Sequence, residues 1–94
     1  MGLFKRLNRR QKQTASQVSK DAFVAANGDR DAFEQLVKED SRTKAIDPML
    51  ILLFVRMAMA IYDYFKNRSA SAVGSIADLT DDEVILGSVR YLKG

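Results

Sequence analysis

Residues 47–65 read DPMLILLFVRMAMAIYDYF, and this stretch decides the fold. The Asp-Pro pair at its start is a strong helix-start signal, because Asp caps the first free N–H groups and Pro fits the first helical position. Beyond that pair, Arg56 and Asp63 are the only residues of the stretch that are neither apolar nor aromatic. The pattern therefore predicts one long, nearly all-apolar central helix over about residues 47–67.

A helix that is apolar on nearly every side needs cover on nearly every side. The centre of its own domain, a lipid bilayer and an interface between copies of the chain would each provide that cover. About twenty helical residues span roughly 30 Å, the thickness of the hydrocarbon core of a bilayer. Arg56 lies at mid-helix and costs about 2.5–3.5 kcal/mol on insertion scales, which weakens the membrane interpretation but leaves it open.

Shorter helices are predicted on both sides of this stretch. Residues 1–28 are predicted to form a basic amphipathic N-terminal helix, because small and apolar residues recur there at helical spacing. Residues 29–94 are predicted to form the helical core, with helices at about 29–40, 47–67 and 80–93. We therefore expect an all-α fold of three to four helices.

Capping signals support these bounds. Asn27 and Gly28 are typical of a helix C-terminus, and Asp29 or Asp31 is a suitable N-cap for the helix that follows. Thr80–Glu83 reads TDDE, a capping box in which the first and last residues satisfy each other's backbone N–H groups. Each helix of the predicted core therefore begins at a recognisable signal.

The short helices offer only one apolar stripe each, which is too little to cover the central helix. A monomer would then expose more apolar surface than soluble proteins usually tolerate. We therefore expect oligomerisation, or docking onto a larger protein assembly, to complete the fold. The residues predicted to mediate self-association are Leu50, Leu53, Phe54, Met57, Ile61 and Phe65.

Charge alternates in blocks along the chain. Residues 1–20 contain six Lys or Arg and no acid, whereas residues 21–40 contain six acids and two bases. A basic block is typical of contacts with nucleic-acid phosphates or anionic lipid, and pairing with the acidic block of the same or a neighbouring chain is the alternative. The predicted anion-binding residues are Lys5, Arg6, Arg9, Arg10 and Lys12.

The sequence contains neither Cys nor His. Thiolate and imidazole groups are therefore excluded as nucleophiles, bases and metal ligands. Asp81, Asp82 and Glu83 form a cluster of acids, but they occupy the first turn of a predicted helix, where the helix dipole favours acids. No Gly-rich phosphate-binding motif occurs. We therefore expect no enzyme activity, no cofactor and no metal site.

These patterns favour a non-enzymatic structural or assembly protein, with a virion component as one setting. In this interpretation the apolar helix docks copies of the chain or other components, and the basic N-terminus contacts an anionic partner. The alternatives are a small regulatory or nucleic-acid-binding module and a membrane-associated protein. Because no apolar run follows the N-terminus, we expect no signal peptide and a location in the cytoplasm or within a virion, with membrane association open.

Overall fold

A computed structural model describes residues 5–68, 76 and 78–92 of the chain. Within these ranges every regular element is helical and no residue lies in a strand, which confirms the predicted all-α class. The described elements are five α-helices and two short 3-10 turns: α1 Arg9–Ala26, α2 Arg30–Glu39, α3 Ser41–Lys44, a 3-10 turn Pro48–Leu50, α4 Ile51–Arg68, α5 Asp81–Ser88 and a 3-10 turn Val89–Tyr91.

The long apolar helix α4 lies at the centre of the fold, as its composition predicts. Helices α1, α2 and α5 all pack against it, and α1 makes the largest contact. Aromatic rings join these helices, since the ring of Phe23 on α1 lies 5.6 Å from that of Tyr62 and 5.3 Å from that of Phe65. The buried residues of α4 are Leu53, Phe54, Val55, Met57, Ala58, Ala60, Ile61, Tyr62 and Phe65.

Helix α1 covers α4 better than its sequence predicts. Its buried face combines five small residues with the larger side chains of Val18 and Phe23. Contacts with α1, α2 and α5 bury nine residues of α4 within one chain, so less apolar surface is left exposed than we expected. The small buried residues of α1 are Ala15, Ser16, Ser19, Ala22 and Ala26.

The predicted capping signals at three helix ends are confirmed. Asn27 ends α1 in the left-handed conformation with φ 53°. Asp29 begins α2 by accepting a hydrogen bond from the backbone N–H of Ala32. Thr80 and Glu83 form the capping box that begins α5. The Asp-Pro signal at residues 47–48 is also present, although it begins a 3-10 turn that leads into α4.

The predicted N-terminal helix over 1–28 is interrupted at residues 6–8, between helical Lys5 and helix α1. Asn8 is its N-cap and forms a reciprocal capping box with Gln11, so α1 starts at Arg9. The apolar spacing of Leu7 with α1 suggested a continuous helix, but the Asn8 capping signal overrides that pattern locally. Leu7 precedes the helix and is buried nonetheless. Residues 1–4 lie outside the described residues.

Two further differences from the predicted elements concern α3 and the C-terminal helix. Helix α3 is an extra single turn that the sequence did not predict, and Asp40 caps it by accepting from the backbone N–H of Arg42. The guanidinium of Arg42 also donates to both Asp40 and Asp21 at 2.8–2.9 Å. These hydrogen bonds lower the pKa of Asp40. The C-terminal helix tightens into a 3-10 turn after Ser88 instead of continuing to residue 93.

Candidate docking surface

The structure distributes the five predicted anion-binding residues over different neighbourhoods. Lys5, Arg6, Arg9 and Arg10 are exposed, and Lys12 is half-buried. Arg6 lines a hollow beside the start of α4, whereas Arg10 lines a second hollow of about 400 Å³ that also includes Arg42. The non-helical residues 6–8 lie between Lys5 and α1, so the basic block does not form one continuous helical stripe.

Intramolecular pairing accounts for little of this basic block. The one ion pair that its five predicted residues make within the described part of the chain joins Arg9 to Asp82 at 3.8 Å, and both side chains are mostly exposed. Exposed pairs of this geometry contribute little stability. The described ion pairs of the acidic block at 21–40 involve other bases: Asp21 and Asp40 with Arg42, and Glu34 with Lys38.

Most of the residues predicted to mediate self-association lie in the core of the single chain. Phe54, Met57, Ile61 and Phe65 are fully buried, and Leu53 is nearly so. The sixth residue, Leu50, is half-buried and packs against the core. Because α1, α2 and α5 already cover these side chains, a second copy could reach them only after the fold opened. Self-association through them stays a prediction.

The fold leaves two large apolar side chains exposed at the start of the central helix. Met49 is 81% exposed and Leu52 is 69% exposed. They flank the line of α4 that carries Arg56, which is also exposed. A helical projection of the sequence places these three residues on the same side as Asp63 and Asn67, and the structure shows that Met49 and Leu52 on this side are exposed.

Arg6 approaches this exposed end of the central helix from the N-terminal segment. Together with Met49, Leu52, Leu53 and Arg56 it lines a hollow of about 200 Å³. We call the four exposed residues Arg6, Met49, Leu52 and Arg56 the docking surface. It combines two apolar side chains with two guanidinium groups that come from distant parts of the sequence.

The arginines of the docking surface are not neutralised within the described part of the chain. None of the ion pairs found among residues 5–68, 76 and 78–92 involves Arg6 or Arg56. An unpaired guanidinium retains five N–H donors for phosphate or carboxylate oxygens. The docking surface is therefore positively charged and suited to an anionic ligand.

A shallow groove continues the docking surface along the outer side of α4. Its volume is about 320 Å³, and Leu52 and Arg56 belong to both features. Val55, Met59 and Ala60 contribute apolar lining from α4. The other lining residues come from α2, from α4 and from the C-terminal turn, namely Arg30, Glu34, Asp63, Tyr91 and Leu92.

Apart from Arg56, which the groove shares with the docking surface, the charged residues that line this groove form ion pairs. Arg30 and Asp63 form an ion pair at 2.9 Å, and Arg30 also lies over the ring of Tyr62, 5.5 Å from its centroid. The hydroxyl of Tyr62 donates to the backbone oxygen of Gly28 at 2.6 Å. Burial raises the pKa of Tyr62. These contacts fix the groove wall and leave the unpaired positive charge at Arg6 and Arg56.

The central helix also meets the length and composition expected of a membrane span. Among the described residues, the segment Pro48–Arg68 is the one helix long and apolar enough to cross a bilayer. The core helix of a soluble protein meets the same criteria, and half of the most apolar window of this helix is buried inside the fold. Length and composition are therefore weak evidence for insertion.

The described residues contain no group of three or more Asp or Glu side chains placed to hold a metal ion. Comparison with known proteins gives no relative from which a function could be transferred: no protein family, no curated protein and no solved structure matches this chain. The docking surface is therefore interpreted from its own chemistry.

Proposed function

We propose that this protein is a small, non-enzymatic helical component of a larger assembly, such as a virion, and that it binds an anionic partner through the docking surface. The observation that carries the proposal is the exposure of Met49 and Leu52 beside the unpaired Arg6 and Arg56. Apolar side chains left in water favour a partner that covers them. The two arginines specify that this partner is negatively charged.

Three double variants of equal charge test the anionic contact. The first, Arg6→Gln with Arg56→Gln, removes both arginines of the docking surface. The second, Arg9→Gln with Arg10→Gln, removes two bases of the N-terminal block that lie outside it. The control, Arg68→Gln with Arg90→Gln, changes two exposed arginines at the other end of α4 and near α5.

The readout is the salt concentration at which each variant elutes from heparin, a polyanion. We expect the first variant to elute at clearly lower salt than the control, with the second in between. Equal elution of all three would show that net charge alone governs retention, and the proposed docking surface would then be wrong. Earlier elution of the second variant than of the first would transfer the anionic contact to the N-terminal block.

Self-association is a second candidate, favoured by a different exposed surface. Leu86 on α5 is 76% exposed, and Glu83 and Arg90 lie on either side of it along the chain. Antiparallel pairing of two copies across Leu86 would place Glu83 of one chain near Arg90 of the other, so the charges are self-complementary. This surface is distinct from the docking surface.

Sedimentation equilibrium without detergent distinguishes the two surfaces. If α5 mediates a dimer, the wild-type mass should approach twice 10.5 kDa, and Leu86→Asp should return it to one chain while Leu52→Asp leaves it unchanged. If the docking surface mediates the dimer, Leu52→Asp should return the mass to one chain while Leu86→Asp leaves the dimer unchanged. A wild-type chain that stays monomeric at high concentration would contradict self-association through either surface.

A further inference from the structure

We infer that the anionic partner of the docking surface is a phospholipid membrane, which the protein binds peripherally without inserting α4. The inference rests on the proposed function, because it names the partner of that same surface. The juxtaposition that carries it is the pair Met49 and Leu52 at the exposed start of the central helix, flanked by Arg6 and Arg56.

The apolar half of the surface favours lipid over nucleic acid. Met49 and Leu52 project from the first turns of the helix and are among the most exposed large apolar side chains described. The headgroup boundary of a bilayer offers an apolar phase for such side chains, whereas a phosphate backbone would leave them in water. Single-stranded nucleic acid is recognised by aromatic stacking, and the docking surface contains no aromatic residue.

The charged half of the surface selects anionic lipid. Arg6 and Arg56 flank the two apolar side chains and have no carboxylate partner in the described residues. With Met49 and Leu52 at the headgroup boundary, both guanidinium groups would lie at the level of the lipid phosphates. Exposed Lys5 precedes Arg6 in the chain and adds to the local positive charge.

The same charges oppose a second copy of the chain at this surface. Two docking surfaces brought face to face would place Arg6 and Arg56 of each copy against the same residues of the other. The carboxylates of the adjoining groove, Glu34 and Asp63, are already paired with Lys38 and Arg30. Like charges across an interface are unfavourable. The self-complementary charges of the α5 surface are absent here.

The burial of the rest of α4 opposes transmembrane insertion. Phe54, Met57 and Phe65 are fully buried against the other helices. Moving α4 into the hydrocarbon core would require the fold to open and would carry Arg56 towards the bilayer centre. Peripheral contact needs neither change, because the docking surface is already exposed.

Vesicle co-sedimentation tests the inference with matched leucine variants. The vesicles contain phosphatidylcholine alone, or phosphatidylcholine with phosphatidylserine. Leu52→Glu changes the docking surface, and Leu86→Glu changes an equally exposed leucine on α5 and serves as control. Circular dichroism of each variant checks its fold, and Leu52→Ser with Met49→Ser provides a second, uncharged test if the Glu variant is unfolded.

We expect binding to the phosphatidylserine vesicles and little binding to phosphatidylcholine alone. Leu52→Glu should weaken partitioning about tenfold or more, because it removes apolar transfer and adds repulsion, whereas Leu86→Glu should change it little. Arg6→Gln with Arg56→Gln should weaken it by a comparable factor, and high salt should reduce the binding without abolishing the part that depends on Leu52.

Three outcomes would overturn the lipid inference. Equal losses in Leu52→Glu and Leu86→Glu would show that the docking surface makes no specific lipid contact. Binding to duplex DNA that depends on Arg6 and Arg56 but not on Leu52 would identify nucleic acid as the partner. Absence of vesicle binding, together with heparin retention that depends on the two arginines, would reject lipid and leave the proposed docking function standing.

Discussion

Gly87 is the residue of α5 that faces the ring of Tyr64 on α4. A methyl group at its Cα would overlap that ring, so the two helices pack at this point only because the side chain is absent. The ring of Tyr64 also neighbours those of Phe65 and Tyr91, at centroid distances of 6.0 and 6.4 Å. These neighbours restrict the space into which Tyr64 could retreat.

Gly87→Ala should therefore destabilise the protein, although Ala has the better helix propensity. The propensity gain is about 1 kcal/mol, whereas overpacking costs about 1–3 kcal/mol. Urea unfolding followed by circular dichroism measures the net effect, which we expect to be a loss of stability. Adding Tyr64→Leu to Gly87→Ala should recover part of the lost free energy of unfolding. A higher unfolding midpoint for Gly87→Ala alone would show that propensity decides and that the close contact is unimportant.

Helices α1 and α5 are joined at one carboxylate. Asp81, the first residue of α5, accepts hydrogen bonds from Ser16 Oγ at 2.8 Å and from Gln17 Nε2 at 3.1 Å, and it forms an ion pair with Lys20 at 3.4 Å. Lys20 Nζ also donates to the backbone oxygen of Leu79, which lies just before α5. These contacts link the middle of α1 to the N-terminus of α5, where the helix dipole favours a negative charge.

The pKa of Asp81 depends on these contacts and on its burial. Burial is the largest single influence and raises the pKa, but the hydrogen bonds from Ser16 and Gln17 and the charge of Lys20 together outweigh it, so the pKa is lowered. The unfolded chain therefore binds a proton at a higher pH than the folded chain does. The stabilisation is present in full above the unfolded pKa of about 4 and is lost as the pH falls through the lower folded pKa.

Asp81→Asn should accordingly reduce the dependence of stability on pH. We expect the wild type to exceed the variant in free energy of unfolding at pH 7, and the difference to shrink as the pH falls below about 4. Urea unfolding of both proteins at a series of pH values measures this difference in free energy. Ser16→Ala should shift the acid transition of the wild type to higher pH, because one hydrogen bond to the carboxylate is lost. A difference that is constant from pH 7 to pH 2 would contradict this account.

One side of the central helix is buried and the other faces solvent. Substitutions on the two sides should therefore change the free energy of unfolding by very different amounts. Phe54 is fully buried against the core, whereas Leu52 two positions earlier is mostly exposed. The hydropathy of the sequence does not distinguish them, because both lie in the same apolar run.

Phe54→Ala should cost about 3–5 kcal/mol of stability, because it leaves a cavity in the core, whereas Leu52→Ala should change stability by no more than about 0.5 kcal/mol. Detergent-free urea unfolding measures both. Similar, small effects of the two substitutions would mean that α4 is not packed within a single chain, and would revive the interpretation of Phe54 as part of an interface between copies or with lipid.

The sequence by itself determined the features that depend on neighbouring residues. The helical class and the ends marked by Asn27, Asp29 and Thr80 follow from periodicity and capping, which act over a few positions. The central helix is equally predictable from the sequence, because a long apolar run needs burial in any fold. The interruption of the helix at residues 6–8 has the same local origin, since the Asn8–Gln11 capping box is a sequence pattern that the longer apolar spacing obscured.

The tertiary structure alone decided which apolar residues beside the polar line of the central helix stay exposed. In a helical projection Arg56 and Asp63 mark the polar line of the helix, but Met49 and Leu52 beside that line are as apolar as the buried Phe54, so the sequence does not say whether another helix covers them. The packing of α1, α2 and α5 around α4 buries Phe54 and leaves Met49 and Leu52 exposed. Arg6 and Arg56 line the same hollow only because the chain folds back between them, a juxtaposition of distant residues that no local pattern encodes.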